Sequence, residues 1–201
     1  MSDLSFDPSV PRCSWSGATS DRPDPEMVLY HDDEWGRPCH DDVELFERLA
    51  LESFQAGLSW STILHKREAF RRAFSGFDPG VVAGFGGADR DRLMADAGIV
   101  RNGAKIDATI GNAAGWLALA REFGSADAYL ATMVPGAPAR LDPGVGVGDI
   151  PARTTVSDEL SADLKRRGFR FVGSTIMYAF MQSVGLVDDH VAGCFRYAGG
   201  V

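Results

Sequence analysis

No run of about 18 apolar residues occurs anywhere in the 201-residue chain, so no membrane-spanning helix is expected. Cysteine is scarce. The three present (Cys13, Cys39 and Cys194) are too few for a disulfide scaffold, fall one short of an all-cysteine iron–sulfur site, and suit a reducing, cytoplasmic setting. Positive charge is also short: 20 Lys and Arg against 28 Asp and Glu give a net charge of −8, which argues against a protein that coats itself non-specifically with nucleic acid. A local basic face remains open, because Lys66-Arg67, Arg71-Arg72 and Lys165-Arg166-Arg167 with Arg170 are clusters. The first two of these read as solvated helix faces. Finally, no alternating strand pattern of useful length appears, which leaves an all-α fold.

What is present suits a soluble globule: 45% apolar and 24% charged residues, with length for one domain or two closely packed lobes. Residues 1–11 are polar and acidic and read as a disordered tail ahead of one domain over 12–201. Within that domain, Asp41 opens a helix that stops at Gly57, with Glu44 three residues on as in a capping box. The next helix is expected from Trp60 to Phe74. Asp78-Pro79 is a helix start, Asp89 to Ala97 a short helix stopped by Gly98, and a longer helix ends at Gly124. Residues 135–151 read as a long surface loop. Ser157 is expected to cap a helix ending at Gly168, an apolar helix carries Ile176, Phe180 and Val184, and a last short helix bears His190 and Cys194.

Leu51 to Trp60 is the most informative stretch. Projected at about 100° per residue, Leu45, Phe46, Leu49, Ala50, Ser53 and Phe54 share one arc, and Glu52 falls at its edge. A carboxylate there is costly to bury without a cation or hydrogen-bonding partner. Trp60 follows after a turn, and the two converge well enough to hold a flat polar or cationic ring. Taken alone, these ten residues favour a plainer arrangement: Glu52 at the rim, paired with Arg48 one turn back, and Trp60 in the core.

Two further constellations stand out. His190 and Cys194 are four apart, which on a helix would let them grip one zinc ion, and Cys13 and His31 are available as the other two ligands. Such a site would clip together segments far apart in the chain. Cys39-His40 is the competing pair, less suited because adjacent residues do not readily face one metal. The stretch Gly98 to Gly103 between two helices has the shape of a helix-hairpin-helix element, whose free amides suit a DNA phosphate. A plain αα-hairpin has the same outline.

Taken in order, Arg12-Cys13-x-Trp15, Tyr30-His31-Asp32-x-Glu34-Trp35-Gly36, Leu51-Glu52-x-x-Gln55-Ala56-Gly57-Leu58-Ser59-Trp60, Asp96-Ala97-Gly98-Ile99, Arg166-Arg167-Gly168-Phe169-x-Phe171-Val172-Gly173 and Asp189-His190-Val191-x-x-Cys194 resemble the DNA-3-methyladenine glycosylase I family, over roughly Arg12 to Tyr197. The resemblance implies a helix-hairpin-helix glycosylase with a zinc-bearing lobe over 12–45 and 150–201 and a hairpin lobe over 46–149. Its partner would be double-stranded DNA containing alkylated bases, its product free 3-methyladenine, and its working state a monomer without membrane association. Glu52 would be the catalytic and base-binding carboxylate, Trp60 the stacking plate, and Tyr30, Trp35 and Trp15 the pocket lining. Gly57 and Leu58 would fill the vacated base stack, while Arg101, Lys105, Lys165 and Arg166 would meet the DNA backbone. Cys13, His31, His190 and Cys194 would ligate one structural Zn²⁺. The chain departs from the family in a longer loop between Cys13 and His31, in Ser53 where glycine is usual, and in Met27 where an aromatic can stand. Two functions follow: a monofunctional glycosylase, or a zinc-clipped helical module that binds damaged DNA without catalysis.

Overall fold

The structure, a computed structural model, describes residues 6–140 and 144–197. Ten α-helices account for most of them: α1 Pro25–Asp33, α2 Asp42–Gln55, α3 Trp60–Leu64, α4 Arg67–Ala73, α5 Pro79–Val82, α6 Gly87–Ala95, α7 Gly103–Phe123, α8 Ala126–Met133, α9 Thr155–Arg166 and α10 Ser174–Ser183. Among the described residues, extended structure is limited to the two-residue strands β1 Ala139–Arg140 and β2 Val187–Asp188, paired in parallel with Ala139 opposite Val187. The fold is all-α apart from this bridge. No helix among the described residues is long and apolar enough to cross a membrane.

α2 is the central element. Its stripe of Leu45, Phe46, Leu49 and Phe54 is fully buried, as the helical period requires, and it packs against α7 and α10. Asp41 caps its start through the amides of Val43 and Glu44. Asp42, the next residue, turns its carboxylate to the amides of Ala126 and Asp127 and so fixes the start of α8. Trp116 on α7 donates its indole N–H to the Asp42 carbonyl. A ladder of Phe54, Phe70, Phe74 and Phe77 continues the core beneath α3 and α4. One buried apolar cluster runs from Leu45 to Val187, and residue 46, where a division between lobes is expected, falls inside α2.

Several boundaries differ from the expectation. The helix expected over residues 60–74 breaks at His65-Lys66 into α3 and α4. α6 starts two residues early, with Asp89 reaching back to the Gly86 amide. Thr154, not Ser157, caps α9; Ser157 is its reciprocal partner three residues on. α1 and α8 were not anticipated. The last helix does not exist: residues 189–197 run through turns, with Cys194 N–H on the Val191 carbonyl and Gly193 at φ 92°. Of the expected tail, residues 1–5 lie outside the described residues, whereas the Pro11 carbonyl accepts from Phe195 N–H.

Candidate active site

The buried end of α2 forms the floor of a cavity of about 300 Å³. Asp24 and Pro25 start α1, the Asp24 carboxylate taking the amides of Glu26 and Met27, and Ser61 Oγ donates to the same carboxylate from α3. This joint sets Tyr30 beside Trp60, their ring centroids 5.0 Å apart. Rings so close already touch, so a third ring lies against the pair rather than between them. Trp35 follows α1 in a turn that ends at Gly36, where φ is 73° and an added Cβ would stand 2.8 Å from His190 Cε1. Trp15, in a short 3₁₀ turn after Cys13, meets Trp35 edge-on at 4.8 Å. Met27, Gln55, Ala179 and Gln182 complete much of the lining.

Glu52 is the polar centre of this cavity. It is 4% exposed, and its Oε2 is buried with no hydrogen-bond partner among the described residues. Burial pushes its pKa up to about 8, against a smaller opposing pull from the Arg48 charge. The expected rim pairing with Arg48 is absent. That guanidinium instead donates to the Ser183 carbonyl and to Glu44, and lies 3.7 Å from Glu34. Trp60 is only partly buried, not a core residue, yet its Nε1 also lacks a partner among the described residues.

On the far side of Trp35 lies the second cluster. Donor atoms of Cys13, His31 and Cys194 lie within 4.8 Å of one another, a grouping that could hold a metal ion. His31 turns Nδ1 to Asp32 at 2.8 Å and Nε2 to Cys194 Sγ at 3.4 Å. Asp32 is in turn held by two nitrogens of Arg12. The Cys13 hydrogen bond pulls the Cys194 thiol downward despite burial and drives Cys13 upward. His190 stands outside the three-residue group, but its ring lies 5.1 Å from that of His31. Its Nδ1 is on Asp188 at 2.7 Å, and its Nε2 is buried with no partner among the described residues. Both histidines turn Nδ1 to a carboxylate, as carboxylates orient metal-binding imidazoles, and leave Nε2 as the remaining donor. Cys39 and His40 stay apart from it, His40 pairing with Asp127.

The residues expected at DNA divide. Gly57 takes φ 80°, and Leu58 beyond it is 42% exposed, an unusual placement for leucine. Arg101, Lys165 and Arg166 are exposed, Arg166 pairing with Asp163. Lys105 is not available to a phosphate. It is 6% exposed, and its ammonium donates to the Phe54 and Ala56 carbonyls at 2.7 and 2.6 Å. It closes the C-terminal end of α2, whose carbonyls lack partners inside the helix, and ties the first turn of α7 to the Gly57 turn. The clusters read as solvated faces are likewise engaged: Lys66 with the Ala97 and Gly98 carbonyls, Arg67 with Glu34, Arg71 with Glu47. Gln182 was missed; the one amide side chain of the largely apolar α10 was its signal.

A family model described as methyladenine glycosylase matches residues 19–197. The chain is 45% identical to DNA-3-methyladenine glycosylase 1 of Escherichia coli (strain K12) over 188 residues, 94% of this chain and 97% of that protein. It is 43% identical to DNA-3-methyladenine glycosylase of Haemophilus influenzae over 183 residues, 91% of this chain and 96% of that protein. Among solved structures, a crystal structure of 3-methyladenine DNA glycosylase I superposes with a TM-score of 0.84 at 45% identity, covering 92% of this chain and 98% of that one. The glycosylase I of Staphylococcus aureus, solved to show its recognition of 3-methyladenine, superposes with a TM-score of 0.85 at 37% identity, covering 92% of this chain and 97% of that one.

Proposed function

The chain belongs to the methyladenine glycosylase family, and from that membership we propose that it excises 3-methyladenine from alkylated double-stranded DNA by hydrolysis, without a lyase step. One observation carries the reading: a buried carboxylate with an unmatched oxygen, Glu52, at the base of an aromatic-walled cavity of about 300 Å³. A carboxyl so desolvated favours its protonated form, and a cation beside it restores the charged form. 3-Methyladenine in DNA carries a positive charge, and adenine does not. A base flipped into this pocket thus meets Glu52 as an ion pair only when it is methylated, and Trp60 offers its face for stacking. The positive base is already a good leaving group and needs little protonation, so extrusion and recognition are the main tasks.

Leu58, exposed on the turn after α2, is suited to fill the space the base leaves. The α6–α7 connection acts as a helix-hairpin-helix element, with the amides at the start of α7 and Arg101 on the phosphates, and Lys165 and Arg166 extending the contact. No lysine among the described residues lines the cavity, which favours hydrolysis over a lyase step. Cys13, His31, Cys194 and His190 would hold one Zn²⁺, closing a four-ligand site without an open position, so that its role is structural. The reading places one copy of the chain on DNA in the cytoplasm.

Incubating the protein with methylated duplex DNA and separating the released bases tests this directly. 3-Methyladenine should appear in solution with the sugar–phosphate backbone uncut. DNA retained by the protein with no base released would leave only a binding module.

A further inference from the structure

Gln182 lines the same cavity and has no part in the account above. Its Nε2 donates to Asp189 Oδ2 at 2.7 Å. Tyr178, one turn earlier on α10, donates its hydroxyl to the same oxygen, also at 2.7 Å. Asp189 is 1% exposed, so this junction is sealed from solvent. The backbone is held as well, since the Gln182 carbonyl accepts from Gly36 N–H at 3.0 Å. With its nitrogen committed to a carboxylate, the amide has one end left, the oxygen Oε1, which can only accept. Rotating the amide would break the Asp189 contact and set oxygen against oxygen.

An exocyclic amino group brings two hydrogens into a pocket, and each one buried without an acceptor costs desolvation energy. A carbonyl at the same position brings none and is repelled by an acceptor. Glu52 can take one amino hydrogen. Building on the base-pocket reading, we propose that Gln182, its amide sense locked by Asp189 and Tyr178, is a specificity residue for the 6-position of the purine: Oε1 accepts the second amino hydrogen and disfavours a 6-carbonyl. Discrimination of this kind is independent of the base's charge, because it separates 3-methyladenine from equally methylated 6-oxopurines.

The test titrates free 3-methyladenine and free 3-methylhypoxanthine into the wild-type protein and into Gln182→Met, a variant of similar volume without the fixed acceptor. Affinity for 3-methyladenine should fall roughly tenfold, the upper range for one neutral hydrogen bond, while 3-methylhypoxanthine binds as before or better. Gln182→Asn keeps an amide but withdraws it, and should give the same selective loss if the methionine variant melts early. An equal loss for both bases, or a wild-type ratio retained in the variants, overturns the assignment. Wild-type protein that binds neither base overturns the pocket reading and this one with it, so the two failures are separable.

Discussion

The pocket and the Cys/His cluster lie back to back across Trp35, whose ring stands 4.7 Å from that of His190, yet they brace their buried polar groups differently. In the cluster each histidine is braced by a carboxylate, Asp32 or Asp188, and Asp32 is braced again by Arg12. In the pocket Glu52 has no such brace, although cations stand close by: Arg48 and Arg67 serve Glu34 instead. Burial pushes Glu34 upward too, but the hydrogen bonds and charge of Arg67 outweigh it and hold that carboxyl below its ordinary value. In the cluster the protein supplies a partner for each histidine Nδ1 and, among the described residues, leaves only the His190 Nε2 unmatched, beside two thiols. The pocket leaves an unmet need facing a cavity, which is what a ligand site for a cation requires.

Breaking the cluster should therefore cost stability most. Cys194→Ser should lose tightly bound zinc and lower the melting temperature by roughly 10 °C or more, since binding energy at such a site is also folding energy. Metal analysis that still finds one zinc per chain in this variant removes Cys194 from the ligand set. Glu52→Gln should act in the opposite sense. Folding raises the Glu52 pKa from 4.5 to about 8, so the folded chain keeps a proton that the unfolded chain releases, and stability falls as pH rises across that window. The variant should melt like wild type near pH 5 and above it at pH 8.5, while excising 3-methyladenine roughly 10- to 100-fold more slowly. A variant that melts below wild type at pH 8.5 would mean that Glu52 is paired after all.

The smallest effects separate two basic residues placed together by the sequence reading. Lys105→Met should lower stability by about 1–3 kcal/mol, because two carbonyls at the end of α2 lose their donor, with no change in the salt dependence of DNA binding. Arg101→Ala should leave the melting curve alone and reduce the salt slope by about one. The reverse pattern in thermal melts and salt titrations would return Lys105 to the phosphates.

The sequence carries the helical frame best where period and caps agree, as in α2, α7 and α10. It misleads where a local pattern competes with distant contacts. His190 and Cys194 have helix spacing, but Asp188 turns back to the His190 amide and ring and Gly193 takes a positive φ, so turns bring them together instead. α1 was hidden because its start, Asp24-Pro25, lies in a loop-like composition. Lys105 read as a surface cation because nothing local reveals that two carbonyls some fifty residues earlier await it. The projection placed Glu52 at the edge of the apolar arc, but Arg48 was the obvious partner at i−4, and only the fold shows it drawn off by Ser183, Glu44 and Glu34. Ser53, a departure from the family pattern, is placed without strain: its hydroxyl bridges the Leu49 and Phe171 carbonyls.

His31 and Cys194 are 163 positions apart in a chain of 201, so their contact closes a loop over most of its length. Such a closure comes late in folding, after the shorter-range helix contacts have limited the search. Trp15 and Trp35 lean on the two histidines of that cluster and also wall the cavity. On this topology the helices can pack on their own, while the Trp15–Trp35 wall of the cavity rests on contacts with the segment after β2. A chain without the segment after β2 would have the floor of the cavity and lack the support of its side.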